Sequence, residues 1–169
     1  GDYSYIPERG VEVLIGIARF WHQRASFSKN KNQYMILGVT GPNEYENNIN
    51  NNFYTNYIAK WCIDYTYEQI QKVSLEYPSD HKRIIEKVKL SETELQEWNK
   101  VAGNMYFPKS EEMGIYLQQD GFLDKDLVRV KDLDPAQRPI NQKWSWDRIL
   151  RSPYIKQADV LQCFYFFED

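Results

Sequence analysis

The stretch FYTNYIAKWCIDYTYEQIQKVSLE, residues 53–76, carries the clearest helical pattern of this chain and sets its expected fold class. Four of its six aromatic side chains step by four positions, which places them on one face of an α-helix; they are Phe53, Tyr57, Trp61 and Tyr65. Asn51 or Asn52 is suited to cap the start of this helix, and Pro78 to stop it. The stretch therefore predicts one long amphipathic helix.

Helical spacing recurs on either side of this stretch. One apolar face predicts a first helix from Pro7 to Arg24, and Ser79 is a candidate cap for a short third helix. Ser91 and Glu94 form a capping box at the start of a fourth. A last helix is expected from about Gln157 to Phe167, too apolar to face water uncovered. The chain is predicted to be all-α.

The segments between these helices contain few extended runs. A polar loop is expected over residues 26–32, followed by a short extended run over residues 34–39. Frequent Gly, Pro and Asp residues interrupt the pattern from Gly103 to Pro153, where residues 115–118 and 128–130 are the extended candidates. We therefore expect a short irregular or β excursion between the helices.

Composition excludes several classes of function. The 169 residues carry 21 Lys and Arg against 24 Asp and Glu, a net charge of −3, without the basic stripe that binds nucleic acid or anionic membrane. No apolar run approaches the roughly 20 residues that span a bilayer. Cys62 and Cys163 lack zinc spacing, and His22 and His81 lie far apart, so no metal site is expected. Aromatic residues form 15% of the chain and suit either a core or a polar-ligand groove.

The stretch with the most unusual amino-acid composition follows the extended run of residues 34–39. Seven of the fourteen residues from 43 to 56 are Asn, which favours turns and helix caps. Before them, Gly41-Pro42 forms a stiff turn that would hold Glu44 by its backbone, while Asn43 and Tyr45 could orient that carboxylate and bind sugar hydroxyls. The alternative is that Glu44 and Glu46 are solvated loop acids. If the segment is extended, Glu44 and Glu46 share one face and Tyr45 takes the other.

A second stretch, residues 156–160, begins with Lys156 and Gln157. Both are predicted to lie in the first turn of the last helix, where a lysine opposes the helix dipole. A lysine that binds a phosphate or sugar oxygen would explain that position. The alternative is a solvated lysine beside a capping glutamine.

Both stretches resemble the catalytic segments of glycoside hydrolase family 65. The resemblance is carried by residues 38–56, by residues 156–160 and, more loosely, by the helix leading to Phe20 and Trp21. The family includes maltose, trehalose, kojibiose and nigerose phosphorylases and acid trehalases. It implies that residues 1–169 are an interior part of an (α/α)6-barrel catalytic domain in a longer multidomain enzyme.

The resemblance also implies a reaction. Glu44 would be the general acid in the inverting phosphorolysis of an α-linked, maltose-type glucose disaccharide, with inorganic phosphate as nucleophile and no other cofactor. The products would be β-glucose 1-phosphate and glucose. Lys156 and Gln157 would contact the sugar. Glu44 must then be protonated at working pH, which a partly desolvated, aromatic-lined site favours.

Two alternatives remain open from the sequence. One is an inverting, trehalase-like hydrolase of the same family, in which a second carboxylate activates water. The other is a non-catalytic helical module that binds carbohydrate. The resemblance further implies a cytoplasmic parent enzyme, a homodimer as its assembly, and no activity for residues 1–169 alone, because the phosphate pocket is built mainly by residues outside this chain.

Overall fold

The computed structural model describes residues 3–166 and is mostly helical, which confirms the predicted class. A π-helical turn, Ile6–Gly10, leads into the first of seven α-helices that the described residues form: α1 Val11–Arg24, α2 Phe53–Glu76, α3 Pro78–Val88, α4 Glu92–Gly103, α5 Ile140–Lys143, α6 Trp146–Arg151 and α7 Asp159–Phe166. Two small antiparallel hairpins pair β1 Ser26–Ser28 with β2 Gln33–Met35, and β3 Lys109–Ser110 with β4 Ile115–Tyr116. Short 3-10 turns occupy Phe122–Asp124, Val130–Asp132 and Pro135–Gln137.

The long helix α2 has the bounds that its periodicity predicts. Its N-cap is Asn52, whose Oδ1 accepts a hydrogen bond from the backbone N–H of Thr55 at 3.0 Å. Pro78 does more than stop it, because this proline also occupies the first position of α3. Proline suits that position, where its missing N–H costs nothing. No helix within residues 3–166 is both long and apolar enough to cross a membrane.

Two compact units make up the described chain. The first contains residues up to 35 together with residues 57–106, and the second contains residues 36–56 together with the residues from 107 onward. Every residue singled out for chemistry from the sequence lies in the second unit.

The first unit is a helical cluster in which α1 packs against α3 and α4. The apolar face predicted for α1 is buried at Val11, Ile15 and Ala18. Arg19 joins α1 to the first turn of α4 through two hydrogen bonds to the Glu94 carboxylate, at 2.6 and 2.9 Å. The predicted cap is confirmed at the start of α4, where Ser91 Oγ accepts the Glu94 N–H at 3.2 Å.

Two local predictions for this unit are wrong. The expected polar loop of residues 26–32 begins with strand β1, because Phe27 pairs with Tyr34 across the hairpin and their rings lie 5.2 Å apart. Ser79 does not cap α3, which begins one residue earlier and has no side-chain cap at Tyr77. In the hairpin, the pairing of two aromatic residues overrides the loop preference of the polar residues. At α3, Pro78 begins the helix before Ser79 can cap it.

The second unit has a cluster of aromatic rings around the buried side chain of Phe53. This ring lies 5.4 Å from Phe107, 4.9 Å from Tyr116 and 6.5 Å from Phe164, measured between centroids. At least part of the aromatic surplus therefore fills a core, as one of the two sequence interpretations held. The outer rings of the cluster, Tyr116 and Phe164, remain exposed within the described structure, and so do Leu161 and Tyr165 on α7.

The irregular region of this unit differs from its prediction. Residues 115–118 form a strand only over Ile115–Tyr116, and residues 128–130 form none, since Val130 begins a 3-10 turn. Two short helices, α5 and α6, were not predicted. The last helix begins at Asp159 rather than at Gln157, and the predicted end at Phe167 lies outside the described residues.

Candidate active site

The loop of residues 40–48 is closed at its base by an antiparallel bridge. The backbone N–H groups of Val39 and Ile49 each donate to the other residue's carbonyl at 2.9 Å. Just before the bridge, Gly38 has a φ of +62°, a conformation that favours glycine, and its N–H donates to Asn50 Oδ1 at 3.1 Å. These hydrogen bonds hold the two ends of the loop together.

A turn centred on Asn43 sets the direction of the two acids. The backbone N–H of Tyr45 donates to Asn43 Oδ1 at 3.4 Å, and that of Glu46 donates to the Asn43 carbonyl at 3.3 Å. Asn43 is completely buried. The segment is a turn rather than extended, and its two acids have different surroundings: Glu46 is buried and Glu44 is exposed.

Glu46 is the buried acid of the loop, only 4% exposed. Its Oε2 accepts hydrogen bonds from Gln119 Nε2 at 2.6 Å and from Asn43 Nδ2 at 3.2 Å, and its Oε1 is ion-paired with Lys125. No pattern in the sequence indicated Gln119 or Lys125 as partners of this carboxylate. Both lie more than 70 residues away along the chain.

Glu44 is paired with Lys156. The lysine Nζ donates to Glu44 Oε2, and the two side chains remain 47% and 62% exposed for Lys156 and Glu44, respectively. The sequence led us to expect Glu44 in a partly desolvated, aromatic-lined place. Within the described residues its carboxylate instead faces solvent beside an ammonium group.

The backbone of Lys156 is held by the same turn that carries Glu44. Its N–H donates to Asn43 Oδ1 at 2.8 Å. Three of the predicted site residues, Asn43, Glu44 and Lys156, are thus brought together. The prediction that Lys156 and Gln157 lie in the first turn of the last helix is wrong, because both precede α7. The helix dipole therefore gives no argument about Lys156.

Gln157 is anchored by its backbone, while its side-chain oxygen has no hydrogen-bond partner among the described residues. Its carbonyl accepts from Gln118 Nε2 at 3.3 Å. The side-chain oxygen, Oε1, is buried. An open cavity of about 560 Å³ borders this point, lined by Lys156, Gln157, Ala158, Leu161, Gln162 and Tyr165. Tyr45, the remaining predicted residue, is half-buried in the loop.

A buried carboxyl group stands at the start of α7. Asp159 is fully buried, its Oδ2 accepts from Asn52 Nδ2 at 2.6 Å, and its N–H donates to Gln118 Oε1 at 3.1 Å. Burial raises the pKa of Asp159 to about 6, although the hydrogen bonds from Asn52 and from the Asn43 backbone oppose the shift. Four residues of the Asn-rich stretch are completely buried, namely Asn43, Asn51, Asn52 and Asn56.

Another cavity of the second unit does not coincide with the predicted site. A cavity of about 610 Å³ between β4 and α7 is mostly apolar, and none of the five predicted site residues lines it. Within residues 3–166, no three His, Cys, Asp or Glu side chains are grouped as metal ligands.

Known proteins match this chain over nearly all its length. The model of the glycosyl hydrolase family 65 central catalytic domain matches residues 1–169. Maltose phosphorylase of Bacillus subtilis (strain 168) is 54% identical over 169 residues, 100% of this chain and 21% of that protein. Alpha,alpha-trehalose phosphorylase of Thermoanaerobacter brockii is 37% identical over 161 residues, 95% of this chain and 21% of that protein.

A solved structure, "Putative kojibiose phosphorylase from human microbiome", superimposes with a TM-score of 0.82 at 30% identity. The match covers 97% of this chain and 22% of that one. The chain thus spans about a fifth of the length of the proteins it matches.

Proposed function

The chain belongs to glycosyl hydrolase family 65, in its central catalytic domain, and on that basis we propose that its parent enzyme cleaves an α-linked, maltose-type glucose disaccharide by inverting phosphorolysis. Inorganic phosphate is the co-substrate, and the products are β-glucose 1-phosphate and free glucose. The similarity to proteins described as maltose, kojibiose and trehalose phosphorylases supports this reaction, and the 54% identity to a maltose phosphorylase supports the maltose type.

The observation that carries the proposal is the pairing of Glu44 with Lys156 on a fixed turn. Glu44 is the general acid that protonates the glycosidic oxygen as the bond to the anomeric carbon breaks. The other carboxylate of the loop is unsuited to this role, because Glu46 is buried and already accepts from three donors.

Substrate entry exchanges the partner of Lys156. In the described structure its ammonium group is paired with the Glu44 carboxylate. When the disaccharide binds, Lys156 turns to the oxygens of the sugar, and Gln157 Oε1 accepts a hydroxyl hydrogen bond that it lacks within the described structure. Asn43 supports the turn from its buried side, and Tyr45 lies next to the acid in the loop.

Phosphate attacks the anomeric carbon from the face opposite Glu44, so the reaction needs no carboxylate base. An inverting hydrolase would need such a base, with room for a water molecule between the two carboxyl groups. Within the loop of residues 40–48, Glu46 cannot serve, since its oxygens are occupied and shielded from solvent. Glu46 is thus excluded as that base, and the similarity to proteins described as phosphorylases supports phosphorolysis over the trehalase-like alternative.

The parent catalytic domain is an (α/α)6 barrel in this proposal, and residues 1–169 supply the part of its active site that contains the general acid, Glu44. We expect this segment alone to be inactive, since it spans about a fifth of the length of the phosphorylases it resembles. A homodimeric assembly and a cytoplasmic location remain predictions.

The full-length enzyme tests the proposal directly. It is incubated with maltose, trehalose or kojibiose, with and without inorganic phosphate, and the anomer of any glucose 1-phosphate is read by NMR. We expect the β-anomer from maltose, only with phosphate. Release of two free sugars without phosphate would establish the hydrolase, and sugar binding without cleavage under either condition would establish the binding module.

A further inference from the structure

We propose that Glu46 is a positioning residue, which fixes the side-chain amide of Asn43 and thereby holds the Lys156 backbone beside Glu44. The effect of this arrangement on catalysis rests on the proposed function. The arrangement itself does not, because it follows from the hydrogen bonds inside the second unit.

Every partner of the Glu46 carboxylate is a donor. Lys125 reaches Oε1, while Gln119 Nε2 and Asn43 Nδ2 both reach Oε2. A carboxylate only accepts, so it satisfies all three at once. A glutamine amide placed there would turn its NH₂ group either against the lysine or against the two amide donors. The position therefore requires a carboxylate, and not merely a side chain of this size.

The carboxylate determines which way the Asn43 amide faces. Because Nδ2 of Asn43 donates to Glu46, its Oδ1 is left to accept the N–H groups of Lys156, at 2.8 Å, and of Tyr45, at 3.4 Å. If the amide were reversed, Nδ2 would meet the Lys156 N–H, donor against donor. The bond that holds residue 156 to the loop would then be lost.

Burial makes this arrangement rigid. Asn43 is completely buried, Glu46 is 4% exposed, and the side chain of its partner Lys125 is only 10% exposed. Water therefore cannot easily replace a lost partner, and an unsatisfied group would cost its full desolvation penalty. The Lys125 ammonium also lies 5.3 Å from the centroid of the Phe122 ring, which helps to keep it in place.

The decisive variant is Glu46→Gln in the full-length protein. We expect the introduced amide to force the Asn43 amide to reverse and so to release the backbone of Lys156. The second variant, Glu46→Gln with Lys125→Met, removes the cation. The introduced amide can then turn its NH₂ group toward the methionine and its oxygen toward Asn43 and Gln119, which restores the original orientation.

Two readouts are needed. The first is hydrogen–deuterium exchange of the peptide that contains residues 153–158, and the second is kcat and KM for phosphorolysis. Glu46→Gln should speed exchange at this peptide and lower kcat by roughly 10²-fold, the usual cost of a small misplacement, with a smaller change in KM. The double variant should recover most of both. Glu12→Gln, which breaks an exposed ion pair with Lys87 in the first unit, is the matched control and should change neither.

The outcomes separate this inference from the proposed function. Unchanged exchange at residues 153–158 in Glu46→Gln would overturn the positioning role, and so would a double variant that exchanges as fast as the single one. If Glu46→Gln fails to fold, the double variant decides the question. Wild-type exchange and wild-type kcat in the double variant would support the positioning role. Fast exchange at residues 153–158 in a folded double variant would overturn it. The predicted exchange pattern without phosphate-dependent cleavage by the wild type would overturn the proposed function alone.

Discussion

The ammonium group of Lys156 is paired with the carboxylate of Glu44, although 112 residues of sequence separate them. The pair forms because one buried side chain, Asn43, shapes the turn that carries the acid and also holds the Lys156 N–H. The two motifs that stand out in the sequence are thus parts of one structure, joined by an asparagine oxygen.

Removing the charge of Lys156 should slow the reaction without unfolding the protein. Its ammonium group is exposed, so Lys156→Met should leave the midpoint of thermal unfolding nearly unchanged. A hydrogen bond from a charged group is worth about 1.5–3 kcal/mol, so kcat/KM for the disaccharide should fall roughly 10- to 100-fold. Lys156→Arg retains the charge and should recover part of the loss. Wild-type kcat/KM in the methionine variant would show that Lys156 is only a solvated lysine.

Replacing Gly41 by alanine should destabilise the second unit. The new Cβ would lie 2.5 Å from the side-chain amide of Asn52, which cannot move freely because it caps α2 and binds Asp159. We expect a loss of about 1–3 kcal/mol, typical of overpacking.

The matched control is Gly16→Ala on the exposed face of α1, where a Cβ would meet no atom within 4 Å. It should increase stability by about 0.5–1 kcal/mol, because alanine is the better helix former. Thermal unfolding of the full-length variants compares the two, and equal midpoints would contradict the close contact at Gly41.

The buried carboxyl group of Asp159 should make stability depend on pH. Its folded pKa of about 6 lies above the ordinary value of 3.8, so the folded state holds the proton more tightly. Its contribution to the free energy of unfolding is therefore full below pH 4 and declines as pH rises to about 6, by about 3 kcal/mol in all.

The variant Asp159→Asn removes this titration while keeping the shape of the side chain. The difference between the unfolding midpoint of the variant and that of the wild type should therefore shift in favour of the variant as the pH rises from 4.5 to 7. The comparison of the two proteins at each pH cancels the titration of the other groups. An equal difference at both pH values would show that Asp159 is already ionised in the acidic sample.

The sequence pattern predicted those features that depend on interactions between residues close together in the chain. The bounds of α2 follow from side chains that repeat along one helix, and the cap at Ser91 follows from a pair three residues apart. The two motifs of the site were likewise visible, because unusual residues are concentrated in short segments.

The missed features depend on partners far away in the chain. Lys125 and Gln119 lie in an irregular region, and nothing in their neighbourhood indicates that a carboxylate more than 70 residues earlier needs donors. The start of α7 was misplaced for the same reason. The N–H of Asp159 is satisfied by Gln118, 41 residues earlier, rather than by a turn that includes Lys156.

The most direct test of the central claim, that Glu44 protonates the leaving oxygen, compares two substrates in the full-length Glu44→Gln variant. Maltose needs that proton, whereas fluoride departs from α-glucosyl fluoride with far less help. We predict that phosphorolysis of maltose falls roughly 10²- to 10⁴-fold while that of the fluoride changes much less. Near wild-type cleavage of maltose, or an equal loss on both substrates in a folded variant, would contradict the role of Glu44.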